Sequence, residues 1–510
     1  MARTTLDIDL NRVEGDLEFQ VDLDGNTVVD ARCVGTLFRG FEQLLIGRAP
    51  KDGLVITPRV CGICGTAHLY AAALALERLA SLPVTPHATL VRNLCLMAEN
   101  VQSDLRQSFL FFTPDFVHPR YAGQALSADI EAAFAPLKGR VVRSALTASR
   151  KVVELVALFG GQWPHSSYML PGGITRGATA RDIIDCEDIV DQVIEIYERD
   201  IIGDSLDNWL ALDGSDAFFD WLGAAPHAAS AVGLLTRFAR AIGLQHIGAG
   251  ARHFLSAGSW HDPQRWQPPY TDTPTLLAGG IYHADDGRLA PFAPEHINEH
   301  VRHSWYRPYP GGRHPFEGET VPDYQPDTDR YTWAKAPRYG DKVVQTGPLA
   351  ELRIAGDPLI SDLLAREGDN TWLRQFARLR RAGWLIGAMS ETLQAIKASM
   401  DQPHYIDPGI DIWPDGESYG LVEAARGGLG HWLRIRNGVI DKYQIVTPTA
   451  WNASPRDSAG RHGHWEQSII GLPVPDPANP VDIGHIVRSH DPCLVRSEER
   501  RVGKECLRLC

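Results

Sequence analysis

"PRVCGICGTAH", residues 58–68, sets two thiols three positions apart, follows each with a glycine and places a histidine four residues after the second. Such a pair reads first as half of a structural zinc site, then as a redox dithiol or part of an iron-containing or mixed-metal site, and last as coincidence. The flanking text separates these readings. A thioredoxin-like dithiol opens a helix after a strand in a small βαβ unit, but here "LVITP" (54–58) leads into a long run of helical patterns. A structural zinc site takes its second pair within a few tens of residues, and the next cysteines, Cys95 and Cys186, stand alone. Only Cys493, in "RSHDPCLV" (488–495), has a comparable turn-like setting. A site shared by Cys61, Cys64 and Cys493 would join the two ends of the chain at the centre of the fold.

Composition narrows the function classes. Fifty Lys+Arg against 63 Asp+Glu give a formal charge of −13, and no dense basic stripe precedes the last residues, so nucleic acid is excluded as the main partner. An apolar content of 44% supports a substantial core. The opening "MARTTLDIDLNRVEGD" has strand-like alternation and no apolar signal core, which predicts a cytoplasmic chain. Runs such as "VVELVALFGGQW" (152–163) fall short of the roughly 20 residues of a membrane span. Eight cysteines in 510 residues are too sparse for a disulfide scaffold, and Cys33, Cys95 and Cys186 read as packing residues among apolar neighbours.

Periodicity orders the rest. "GDLEFQVDLDGNTVVDARCVG" alternates on both sides of Asp24-Gly25-Asn26, a hairpin signal. Apolar spacings of three and four predict helices over 66–81, 86–112, 141–159, 181–200, 228–241 and 372–402. Between about 262 and 350 a text rich in Pro, Gly, Tyr and Trp predicts long ordered excursions over the surface. "GHWLRIRNGVIDKYQIVTPTAWN" then marks a second hairpin at Asn437-Gly438. With no repeat and no low-complexity tract, residues 1–495 are expected to form one interlocked unit, and 496–510 an atypical charged tail.

Seven segments in order, "NRVEGD" (11–16), "LFRGFE" (37–42), "RVCGICGTAH" (59–68), "GGQWPHSSYMLPGG" (160–173), "EAARGGLGHW" (423–432), "TPTAWNASPRD" (447–457) and "DPC" (491–493), resemble the large subunit of nickel–iron hydrogenases. The resemblance implies an α+β, predominantly α fold, with a central long-helix bundle and β-rich N- and C-terminal segments meeting at the metal site. It implies heterolytic activation of H2 at a nickel–iron centre whose iron carries carbonyl and cyanide, and an iron–sulfur small subunit as partner in a heterodimer. Ala425, where periplasmic relatives carry proline, resembles the cytoplasmic branch of hydrogen-sensing and cyanobacterial-type uptake proteins. Ile63 and Phe111 fall where sensors narrow the gas channel with bulkier side chains. These features imply a sensor with a histidine kinase as partner; the alternative is a cytoplasmic uptake enzyme with a redox partner.

The same resemblance assigns roles. Cys61 and Cys493 are expected as terminal nickel ligands and Cys64 as a bridging one, suiting soft metals. Cys61 is also a first base for the proton, and Glu14 corresponds to a proton-relay carboxyl; read alone, it is a strand-end glutamate in a turn with Gly15. Glu42 corresponds to a magnesium ligand, or else is a solvated helix residue. His68, two helical turns after Cys61, is placed to donate to a bridging sulfur, although a lone histidine there also reads as a core residue. Arg426 is expected to reach the iron's cyanides or incoming H2, with Thr449 as a second donor and Asp491 orienting the arginine. Ser103 stands where many relatives carry aspartate.

The C-terminus departs from the pattern. The family continues "DPC" as C-x-x-C-x-x-H, but this chain reads "DPCLVRSEERRVGKECLRLC", with Arg496 at the bridging-cysteine position and Glu499 at that of the histidine. Cys506 and Cys510 lie too far on to replace it. A damaged end is the expectation, and the competing functional reading is a non-catalytic hydrogenase-like scaffold subunit.

Overall fold

The computed structural model describes residues 3–13, 15–267 and 269–493. The N-terminal alternation forms an antiparallel meander of β1 (Arg3–Asp9), β2 (Leu17–Asp24) and β3 (Thr27–Gly35). Its turn is the expected one, with Gly25 at φ +61°, a conformation that favours glycine. One face of the sheet buries Phe19, Val21, Leu23 and Cys33 against Trp465, Ile469 and Ile486 near the other end of the chain.

Helices dominate the middle: α1 (Gly65–Leu79), α2 (Pro86–Arg106), α3 (Arg140–Val152), α4 (Ala180–Ile196) and α5 (Thr371–Ala398). Their starts carry the expected chemistry. The Thr85 hydroxyl accepts from the Ala88 N–H before Pro86, and the Asn370 side chain accepts from the Leu373 N–H at 2.8 Å. Helices α2, α3, α4 and α5 close into a four-helix bundle in which α2 and α4 each pack against both α3 and α5. All of α2 between His87 and Leu105 is buried, so its charges are paired: Arg92 forms a two-pronged bond to Glu77 of α1 at 2.7 and 3.1 Å. Two expected helices end in a wider i→i+5 turn, over Gln107–Phe112 and Tyr197–Ile202, and the one expected over 141–159 breaks at Val153, where ψ opens to −11°.

The aromatic segment of 262–350 is more deeply embedded than a surface excursion. Strand Ile297–His300 pairs with Ala336–Tyr339, and Arg338 is fully buried, bonded at 3.0 Å to Asp457. A burial pattern without a period of 2 or 3.6 hid this interior position from the sequence.

The C-terminal meander of β4 (Gly416–Ala424), β5 (Gly427–Arg436) and β6 (Val439–Val446) turns at Asn437 (φ +52°) and Gly438 (φ +75°), as the Asn-Gly pair predicts. It lies on α1 so closely that a Cβ on Gly420 would stand 2.0 Å from the Ala71 carbonyl oxygen. Three short helices follow, α6 (Pro448–Asn452), α7 (His464–Ile469) and α8 (Val481–Ser489). Among the described residues no helix is long and apolar enough to cross a membrane.

Candidate metal centre

Cys61 and Cys64 lie in the bend that enters α1. Gly65 is needed there because a Cβ would approach the Pro58 carbonyl to 3.1 Å. Cys64 caps α1, its carbonyl accepting from the His68 N–H at 3.2 Å. Cys493 arrives from the other end of the chain, after α8 and a tight turn in which Asp491 takes φ +58°. The Cys61 and Cys493 sulfurs stand 3.4 Å apart, and the three sulfurs of Cys61, Cys64 and Cys493 all lie within 4.8 Å of one another. The clasp expected between the two ends of the chain is therefore present. Cys33, Cys95 and Cys186 are buried elsewhere, consistent with packing.

The sulfurs share a narrow cleft with Val60, His68, Ala424, Arg426, Leu429, Thr447, Pro448 and Thr449. Arg426 occupies the β4–β5 turn. Its Nε donates to the Asp491 carbonyl at 3.0 Å, and its Nη2 lies 3.0 Å from the Asp491 carboxylate. Nη1 and Nη2 are buried without a properly aligned acceptor. Asp491 thus orients the arginine as expected, and Ser103 donates to that same carboxylate at 3.3 Å. The Thr449 hydroxyl accepts from the Cys493 N–H at 3.3 Å, which leaves its own proton available to the cleft.

Electrostatics favour a cation at this position. Contact with Cys493 and burial raise the Cys61 and Cys64 thiols well above their ordinary range, because two buried sulfurs and a half-buried third in contact cannot all ionise unaided. Burial opposes the charge of Arg426, but Asp491 and the sulfurs outweigh it and secure the guanidinium. A soft metal dication would supply the missing positive charge to the thiolates, and Nη1 of Arg426, with no acceptor among the described residues, offers a donor to an anionic ligand beside it. The residues fit a thiolate-bound metal centre carrying small anionic ligands.

Other expected residues fall around this core. His68 lines the cleft, with its Nδ1 3.0 Å from Nε2 of His431. Glu42 accepts from the Ile445 N–H at 2.8 Å and from the Thr320 hydroxyl, next to Gln444 and the buried Lys335. Ile63 and Phe111 are not among the cleft-lining residues; the Phe111 carbonyl accepts from Arg12 at 2.8 Å. Glu14 lies outside the described residues, as do Arg496, Glu499, Cys506 and Cys510. The loop leading to Glu14 is pinned: Arg488 donates to the Asn11 carbonyl at 3.1 Å and Arg12 pairs with Asp115.

Sequence reasoning missed a layer of support. Arg381 of α5 holds the Ala425 carbonyl, Asp104 and Glu351, while Arg378 donates to the Ser489 carbonyl at 3.4 Å and lies 3.7 Å from the Asp491 carboxylate. The spacing of Arg374, Arg378 and Arg381 along one face of α5, among buried apolar neighbours, is the signal that could have found them.

Comparison with known proteins places this geometry among relatives. The nickel-dependent hydrogenase family profile matches residues 39–138 and 235–497. The periplasmic [NiFeSe] hydrogenase large subunit of Desulfomicrobium baculatum is 33% identical, over 97% of this chain and 95% of that one. The uptake hydrogenase large subunit of Rhizobium leguminosarum bv. viciae is 28% identical, over 96% and 94%. The solved structure of the reduced Ni-Fe-Se hydrogenase from D. vulgaris Hildenborough superposes with a TM-score of 0.81 at 28% identity, covering 98% of this chain and all of that one.

Proposed function

The chain belongs to the nickel-dependent hydrogenase family, and from that premise we propose that it is a catalytic large subunit that splits dihydrogen heterolytically, with Cys61, Cys64 and Cys493 holding a nickel–iron centre. The observation that carries this is the convergence of three sulfurs in one cleft with the buried guanidinium of Arg426. Bound there, the metals supply the electron-accepting half of the cleavage. The protein supplies the rest. A Cys61 thiolate takes the proton, Arg426 and the Thr449 hydroxyl donate to cyanide on the iron, and the apolar walls Val60, Ala424 and Leu429 exclude bulk water. Glu14 relays the proton onward, and Glu42 is the carboxylate for a magnesium ion. The proposed partner is an iron–sulfur small subunit, because this chain has no cysteines left to ligate clusters.

Hydrogen sensing, in the cytoplasm and with a histidine kinase, is the narrower form of the proposal; Ile63, Phe111 and Ala425 support it. The names of the Desulfomicrobium and Rhizobium relatives support periplasmic or uptake turnover instead. Purification with the small subunit, followed by elemental analysis and H2-dependent dye reduction, tests the main reading. About one nickel per chain with activity sustains it, and a chain free of nickel refutes it. Rapid turnover with a soluble acceptor would refute the sensing form.

A further inference from the structure

Helix α1 begins without a cap of its own. The first N–H groups of a helix have no partner within it, and the N-cap side chain ordinarily accepts from the second or third of them. Thr85, Thr179 and Asn370 do this for α2, α4 and α5. The N-cap residue of α1 is Cys64, and its side chain makes no such bond. Its sulfur instead lies within 4.8 Å of those of Cys61 and Cys493. The second and third N–H groups of α1, those of Thr66 and Ala67, donate at 2.9 and 3.0 Å to the two carboxyl oxygens of Glu99, which α2 carries alongside. We propose that Glu99 caps α1 in place of Cys64, and so frees the Cys64 sulfur to face a metal.

One sulfur cannot do both tasks. At the N-cap position a sulfur is itself an acceptor for the N–H groups that follow, and a helix start favours anionic sulfur there. The rotamer that brings Cys64 to Cys61 and Cys493 makes no bond to those groups, so capping requires a turn about χ1 away from the other sulfurs. Glu99, Thr66 and Ala67 are 0%, 1% and 0% exposed, so water does not take over if the carboxyl is lost. Without Glu99 the two N–H groups draw the sulfur toward themselves. A cap is worth about 2- to 30-fold in an equilibrium, and the fraction of chains ready to bind metal falls by up to that factor.

The consequence for metal rests on reading the cleft as a thiolate metal site; the capping itself does not. Glu99 touches neither metal nor substrate and is a positioning residue, acting through Thr66 and Ala67 on the sulfur of Cys64.

The test uses the full-length, metal-free chain at pH 8, above the Glu99 pKa of about 7. Nickel(II), titrated by its thiolate charge-transfer absorption, should bind about 2- to 30-fold more weakly to Glu99→Ala than to the wild type. Glu99→Gln keeps one acceptor oxygen and should fall between them. Thr179→Ala removes a cap of the same kind from α4, outside the cleft, and should leave nickel affinity unchanged. Equal affinity in the wild type and both Glu99 variants would overturn the proposal, and so would an equal loss in Thr179→Ala. A double-mutant cycle on urea unfolding reads the capping without metal. Where Cys64 stands in for the lost carboxyl, Glu99→Ala should cost about 2- to 30-fold more of the folding equilibrium in a Cys64→Ala background than in the wild type. Strictly additive costs would overturn the proposal. If Glu99→Ala does not fold, Glu99→Gln carries both comparisons. A wild type that binds no nickel would refute the metal reading, while the cap stands or falls on the cycle.

Discussion

Arg381 donates through Nη2 to the carbonyl oxygen of Ala425 at 2.6 Å, so a side chain from the longest helix fixes the residue immediately before Arg426. The same guanidinium bonds Asp104 at 2.6 and 3.0 Å and Glu351 at 2.8 Å, all without exposure. Replacing it strands the buried Glu351 carboxylate and leaves Asp104 with Arg378 alone, at 3.3 Å. Arg381→Met is expected to destabilise the fold by about 3–5 kcal/mol. Arg199→Ala, which removes an exposed pair with Glu195, should change stability by less than about 0.5 kcal/mol. Urea denaturation of the two variants side by side checks the contrast.

Arg426 has two buried donors, Nη1 and Nη2, without a well-aligned acceptor among the described residues, although Nη2 lies 3.0 Å from the Asp491 carboxylate, and their geometry is a planar fork. Lysine keeps the charge and loses the fork. Arg426→Lys should lower H2 oxidation about 10²-fold while nickel content stays that of the wild type. A loss of nickel in parallel with activity would instead assign the arginine to holding the site together.

How much of this was legible before folding can be judged from single residues. Cys61, Cys64 and Cys493 could be joined from motif alone, because no other cysteines share their turn-like setting, and the Asp491–Arg426 pair followed from the resemblance. The His431–Tyr443 bond, at 2.8 Å, was hidden. His431 sits opposite Ile445 in the β5–β6 ladder, and Tyr443 is its diagonal neighbour on the same face, so the contact depends on a register that sequence does not print. Arg378 and Arg381 were visible as polar breaks in an apolar helix, but which loops they hold depends on how α5 packs. The interior position of Arg338 had no periodic signal at all.

Glu99 of α2 gives the fold a pH dependence of definite sign. Burial raises its pKa to about 7, against the pull of the Thr66 and Ala67 N–H groups, which donate to its two oxygens at 2.9 and 3.0 Å. The folded chain therefore holds this proton where the unfolded chain, with a pKa near 4.3, has released it. The associated stability is fully present below about pH 4 and is lost as pH rises through 7, amounting to about 3 kcal/mol. Unfolding free energies measured from pH 5 to 8 should fall more steeply in the wild type than in Glu99→Gln, whose amide does not titrate. Parallel curves would refute the assignment.

Metal loading should depend on pH in the opposite sense, and on residue 496. The Cys61 and Cys64 thiols are held protonated by their contact with Cys493 and by burial, so binding a dication must expel protons, and nickel affinity should rise with pH. Three sulfurs meet among the described residues, and the sequence carries Arg496 at the position where the family resemblance implies a fourth thiolate, so a cation is expected there instead. Arg496→Cys is therefore expected to tighten nickel binding at least tenfold at neutral pH, read as nickel per chain at limiting nickel, because it removes one positive charge and adds a soft donor in the same step. Arg496→Ala separates the two effects, since it relieves the repulsion without adding a ligand and should recover only part of the gain. Nickel per chain, measured for all three proteins after identical maturation, checks the order Cys above Ala above Arg. If Ala matches Cys, the charge alone governs assembly and three sulfurs suffice.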